Sequence, residues 1–202
     1  DPNPSPRYGD PAPRYNVARM NRHDNPEDGA LADRCLSGGL PEFGTAFGGS
    51  FRRIVQTPGG ITMYYDTGQG QGWQRNIVMN GAPHLPPHIR QWWGDSRGHW
   101  EGDTLVVNTK NFKRETALTG SSATTTLVER FRRVDANTIA YDFTVTDPNM
   151  YTRPWSASMP LRAIDERVFE YACHEGNHGL EGILRGNRYR EKVEAEKAGE
   201  KK

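Results

Sequence analysis

Residues His174-Glu175-Gly176-Asn177-His178 spell the H-E-x-x-H pattern. In zinc peptidases, two histidines one helical turn apart grip a metal and the glutamate activates a bound water. That chemistry needs both imidazoles on one face of one helix. Here His174 follows an apolar stretch ending at Cys173, and Gly176, Asn177 and Gly179 are poor helix formers. No further histidine lies downstream to complete a ligand set. The plainer expectation is a strand-to-helix bend in which His174 or Glu175 satisfies backbone groups. His174, Glu175 and His178 are kept as candidate metal ligands.

A second set of imidazoles stands earlier. His84 and His88 flank Leu85-Pro86-Pro87, and His99 precedes Trp100. With His174 these could assemble a copper or zinc site, although loop histidines bonded to carbonyls are commoner. Nucleophilic catalysis has no motif: Ser96 in "GDSRGHW" is not a G-x-S-x-G elbow, and "GQGQG" at 68–72 is neither a phosphate loop nor a dinucleotide fingerprint. No catalytic residue and no cofactor are expected. Trp73, Trp92, Trp93, Trp100 and Trp155 suit the mouth of a barrel, where they would plug it, line an apolar pocket or anchor a partner. His99, Trp100 and Tyr141 are the candidate pocket residues.

These side chains must be positioned by a chain of 202 residues in which only 34% are hydrophobic, with 22 Gly and 14 Pro. One domain with long irregular arms follows. Lys and Arg number 26 against 25 acidic residues, a net charge of +1, which argues against nucleic acid as a partner. No apolar run approaches a bilayer span. The chain opens on Asp1 without a charged and apolar leader, the form of a mature product after signal removal or of a trimmed chain. Cys35 and Cys173 could close one long-range bridge in an oxidising compartment, or remain separate buried thiols.

Residues 1–24 form a Pro-rich extended arm with the echo Pro6-Arg7-Tyr8 and Pro13-Arg14-Tyr15. Residues 25–50 begin with Asn25-Pro26-Glu27-Asp28, a helix start that predicts a short helix bearing Cys35, then a Gly-rich linker. Strand patterns occupy 51–176. They comprise a meander at 51–57, 61–66 and 73–80, a hairpin over 98–112 turning at Glu101-Gly102-Asp103, and a hairpin over 124–147 turning at Asp135-Ala136-Asn137. A last pair is expected at 155–164 and 167–173, and Pro86-Pro87 should open one helical turn. Residues 177–202 read as a charged C-terminal helix and tail. The fold class is mainly β, an antiparallel meander barrel or strongly curled sheet of about eight to ten strands.

The segments "IRQWWGDSRGHWEGDTLVVNTKNF", "LVERFRRVDANTIAYDFTVTDPNMYTRPW" and "YACHEGNHGLEGIL" occur in this order. Over residues 31–187 this pattern resembles the C-terminal domain of a large group of exported bacterial proteins of unknown function. The resemblance implies export and a β fold and supplies no catalytic residues. Members often carry Tyr or Asn at the position of His178, which makes the zinc-peptidase match incidental.

The functional expectation is a non-catalytic, periplasmic or otherwise exported accessory subunit, peripheral to the membrane. It would dock on a larger membrane-bound complex, of electron-transfer or photosynthetic type in one version. The docking elements would be the arm (Arg7, Tyr8, Arg14, Tyr15), the loop residues Trp92 and Trp93, and the C-terminal helix. The alternatives are a lipocalin-like small-molecule binder or enzyme and a zinc hydrolase.

Overall fold

Apolar residues at every second position make one face of each strand avoid water, and the sheet curls to bury that face. The computed structural model describes residues 25–29, 31–41, 51–65, 72–113, 121–170 and 172–199. It contains eight strands: β1 (Arg52–Thr57), β2 (Gly60–Tyr65), β3 (Trp73–Val78), β4 (Asp95–Glu101), β5 (Thr104–Lys110), β6 (Thr126–Arg133), β7 (Thr138–Thr146) and β8 (Trp155–Arg162). They form one sheet in sequence order, curled into a half-barrel. One helix, α1 (His178–Gly199), follows. The Pro-rich arm, including Arg7, Tyr8, Arg14 and Tyr15, lies outside the described residues.

The concave face carries Ile61 and Met63, Ile77, Leu105 and Val107, Leu127 and Phe131, and Tyr141, Phe143 and Val145, all buried. Register explains the match: Ile61 faces Ile77, Leu105 faces Phe131, Phe131 faces Tyr141 and Val145 faces Trp155. The Phe131 and Tyr141 rings stack with centroids 4.7 Å apart, and Phe143 meets Trp155 edge-on at 5.6 Å.

Six of the seven strand pairings are antiparallel. The exception, absent from the sequence reading, is β3 with β4, which run parallel and pair only at Ile77↔Ser96 and Val78↔Arg97. A parallel pair needs a long crossover, and residues 79–94 supply it without a helix. At Pro86-Pro87 there is a turn in place of the expected helical turn, closed by the Ile89 amide donating to the Pro86 carbonyl. The crossover is fastened by side chains: Asn111 Nδ2 donates to Leu85 O at 2.8 Å, and Arg90 Nη1 donates to the carbonyls of Phe112 and Ala123. It re-enters the sheet through Gly94, whose φ is +71° and whose missing Cβ would stand 2.7 Å from the Lys110 carbonyl oxygen. Only glycine meets both conditions there.

Across that short seam runs a buried polar stitch. Arg75 on β3 donates from Nη2 to Glu129 Oε2 at 2.5 Å and from Nη1 to Oε1 at 3.2 Å, reaching β6. The same guanidinium donates to Ser96 Oγ on β4 and Thr109 Oγ1 on β5, while the Tyr141 hydroxyl donates to Glu129 Oε1 at 2.8 Å. Arg75 is 3% exposed and Glu129 1%. Burial disfavours the Arg75 cation, but the Glu129 carboxylate and the Tyr65 phenol together outweigh it and hold the pKa above its ordinary value. Burial likewise pushes the Tyr65 and Tyr141 phenols up. The stitch binds the β1–β3 meander to the β4–β8 meander where the ladder is shortest.

Residues 25–34 are not the expected helix but two 3-10 turns, Pro26–Asp28 and Ala32–Arg34. Cys35 then takes a positive φ of 56°. The onward chain is held by indoles instead of helical bonds: Trp92 Nε1 donates to Ser37 Oγ at 2.7 Å and Trp93 Nε1 to Gly38 O at 2.5 Å. Leu40, fully buried, then enters the core. Cys35 and Cys173 are joined by a disulfide across a separation of 138 residues, with Cα atoms 5.6 Å apart. The expected strand over 167–173 is also corrected. Its described residues are irregular and mostly exposed, Phe169 at 73%, and meet the sheet through the Tyr64 hydroxyl, which donates to the Phe169 carbonyl at 3.4 Å.

Candidate functional site

The face of β4 opposite the core presents Asp95, Arg97 and His99, and β5 opposes them with Lys110, Asn108 and Val106. The crossover lays His84 beside them. The result is a basin of about 360 Å³ lined by Val78, His84, Arg97, His99, Asn108 and Lys110 with the Gly81-Ala82 backbone. Behind His84 and Arg97 the Asp95 carboxylate is almost fully buried and accepts from four donors. His84 Nδ1 lies 3.0 Å away, the Leu85 amide 2.9 Å, Arg97 Nε 3.1 Å and Arg97 Nη2 2.9 Å. Burial alone would raise the Asp95 pKa. The Leu85 amide, Arg97 and His84 together outweigh it and leave Asp95 below its ordinary value. The buried anion orients both the imidazole and the guanidinium. On the rim, His99 Nε2 lies 3.2 Å from Glu101 Oε1, and Arg130 also binds Glu101.

Asp147, where β7 ends, is held the same way. Burial pushes its pKa up, and the Ser122 amide with the Thr125, Ser122 and Thr124 hydroxyls more than offsets that. Both carboxyls therefore have folded pKa values below the ordinary 3.8. A depressed folded pKa stabilises above the unfolded value and is lost as pH falls through the folded one. The urea midpoint is expected to stay level above about pH 5 and to drop as pH passes below 3.8. Asp147→Asn should flatten part of that drop in a pH series of unfolding curves; an unchanged profile would show that Asp147 is not linked.

A second concavity lies where the two ends of the sheet face each other. Among the described residues neither β1 nor β8 has a partner strand on its outer side. The curl brings Arg52 of β1 within 5.2 Å of the Tyr65 ring centroid and 5.3 Å of that of Tyr141 on β7. Between the ends is a cleft of about 560 Å³, lined by apolar Phe51, Ile54, Ile139, Leu161, Ile164 and Val168 and by Arg53, Arg133 and Arg162 against Glu166.

Comparison with family models, curated proteins and solved structures returns no match to this chain. Function must therefore be argued from where the side chains stand.

The H-E-x-x-H residues straddle two elements: His174–Gly176 is a 3-10 turn, Asn177 interrupts it and His178 opens α1. Both histidines are exposed and do not share one helical face. Among the described residues no group of three or more His, Cys, Asp and Glu side chains is gathered to hold a metal ion. Of the second set, His84 and His99 share the basin, whereas His88 is exposed outside it. His99, Trp100 and Tyr141 are not brought together: the first two are exposed and Tyr141 is fully buried in the core. Trp93, 3% exposed, packs edge-on against Tyr65 at 4.8 Å and is core, not a presented anchor. Trp92 is half-buried over Ser37.

Arg75, Glu129, Asp95, Asn108 and Lys110 escaped the sequence reading. For Glu129 the signal was present, since Leu127, Glu129 and Phe131 alternate on one face. For the basin no local signal existed, because its members come from the crossover and three strands.

Proposed function

We propose that this chain is a non-catalytic, exported accessory subunit that docks on a larger protein assembly. The observation that carries the reading is the cleft between the two free ends of the sheet. Unpaired strand edges are ready templates for another chain, and proteins ordinarily cover or charge them. Here the edges flank apolar side chains and an excess of arginine, which suits an extended partner segment bearing acidic and aliphatic residues.

Two features support it further. Helix α1 runs 22 residues with only Asn187 buried, and it leaves Ile183 and Tyr189 exposed at 37% and 70%. Its principal contact is the turn Ala32–Arg34, so it adds little to the core of its own domain. The disulfide is compatible with an oxidising, exported compartment, and no helix is long and apolar enough to cross a membrane.

Native extraction under mild detergent tests the proposal. The chain should fractionate with a larger species, with chemical cross-links from the partner mapping to β1, β8 or α1. Combining Ile54→Asp with Arg162→Glu should weaken that association by roughly tenfold to a hundredfold while leaving the unfolding midpoint unchanged. A wild-type chain that runs free at its own mass of 22.7 kDa ends the reading.

A further inference from the structure

The basin on the outer face is a different feature from the cleft, and its polar groups are unevenly spent. The buried Asp95 carboxylate behind it already accepts from His84, Leu85 and both contacting nitrogens of Arg97. Glu101 on the rim is engaged by His99 and Arg130. What is left over is donor capacity. Lys110 and the Asn108 amide line the basin and have no side-chain partner among the described residues. The Asn108 and Lys110 side chains stand on alternate positions of β5, opposite Arg97 and Asp95 respectively, so both lie on the face that forms the basin.

We propose that this basin binds a small oxyanion, a phosphate or carboxylate group, held by the Lys110 ammonium and the Asn108 amide beside the anchored Arg97 guanidinium. Three physical arguments support it. The groups that remain unsatisfied include an uncompensated cation, so the complementary ligand is an acceptor bearing negative charge. The imidazole and Arg97 are fixed in advance by a buried carboxylate, so little side-chain freedom is lost on binding. A volume of about 360 Å³ admits a phosphate or a small organic acid and not a large ligand.

The full-length chain is titrated at low ionic strength with inorganic phosphate and, separately, with malonate. Calorimetry gives the affinity and amide chemical shifts give the location. Saturable one-to-one binding is expected for at least one anion, with shifts centred on residues 81–85 and 108–110. Saturation by phosphate alone identifies a phosphoryl ligand, and by malonate alone a carboxylate. Lys110→Met, at an exposed position, should weaken binding about tenfold or more, and Asn108→Ala should also weaken it. Lys192→Met on the distant helix should change nothing. The inference is overturned if neither anion saturates, or if Lys110→Met binds as tightly as the unaltered chain.

Discussion

Glu129→Ala is expected to destabilise the protein by about 3–5 kcal/mol, the largest effect of any single substitution considered. The cost is not the lost attraction alone. Removing the carboxylate strands the buried Arg75 guanidinium and leaves the Tyr141 hydroxyl without its acceptor. Because Arg75 belongs to β3 and its partners to β4, β5 and β6, the loss should fall on the seam between the two meanders. Hydrogen exchange should therefore accelerate in β2 and β3 before it does in β6 and β7. The double replacement Arg75→Met with Glu129→Leu removes both charges and should recover much of the loss, since a well-packed apolar pair of similar volume often matches a buried ion pair. Urea unfolding of the three variants checks this. A Glu129→Ala midpoint within about 1 kcal/mol of the parent would mean that water or a rearranged partner satisfies Arg75.

Removing the disulfide comes second. Cys35→Ser combined with Cys173→Ser should cost about 2–4 kcal/mol, because the bridge closes a loop of 138 residues and limits the unfolded chain. The damage should be local in the folded state. The bridge and the bond from Asn177 Nδ2 to Asp33 O tie the base of α1 to the 31–41 segment, and that segment delivers Leu40 to the core. Amides of α1 and of 31–41 should lose protection while those of β5–β7 keep theirs. Reduction of the native protein with excess dithiol should reproduce the same change. Equal stability with and without the bridge would place its role outside folding.

Much of the sheet was legible because strands and hairpins are written in short-range signals. Ile139, Tyr141, Phe143 and Val145 alternate with wetter neighbours, and that alternation is the burial pattern of β7. Gly102-Asp103 and Asp135-Ala136-Asn137 stand at the turns where the hairpins reverse. The same short range misled at two places. Asn25-Pro26 carries a real helix-start signal, and the Asn25 amide does donate to Asp28 at 3.0 Å. Propagation fails because the backbone turns extended at Gly29 (φ −74°, ψ 156°) and Cys35 takes a positive φ of 56°, both outside the helical region. Arg167–Glu170 has strand-like composition, yet it stays irregular and pairs with neither free edge of the sheet.

The candidate sites were the least legible. Histidine spacing drew attention to residues 174–178, where a turn and a helix start keep the two rings off a common helical face. It gave no hint that His84 would meet an aspartate eleven residues on, or that Lys110 would arrive beside them across the β4–β5 ladder. Composition and periodicity alone determined a mainly β domain, its hairpins, an even pair of cysteines and the absence of a long apolar helix, since each of these is encoded within a few neighbouring residues. Folding in three dimensions decided the parallel seam, the ion pair that crosses it, the joining of Cys35 to Cys173 and the basin beside His84. Those depend on which distant segments the curling sheet brings within bonding distance, and that is set by burial of the whole concave face at once.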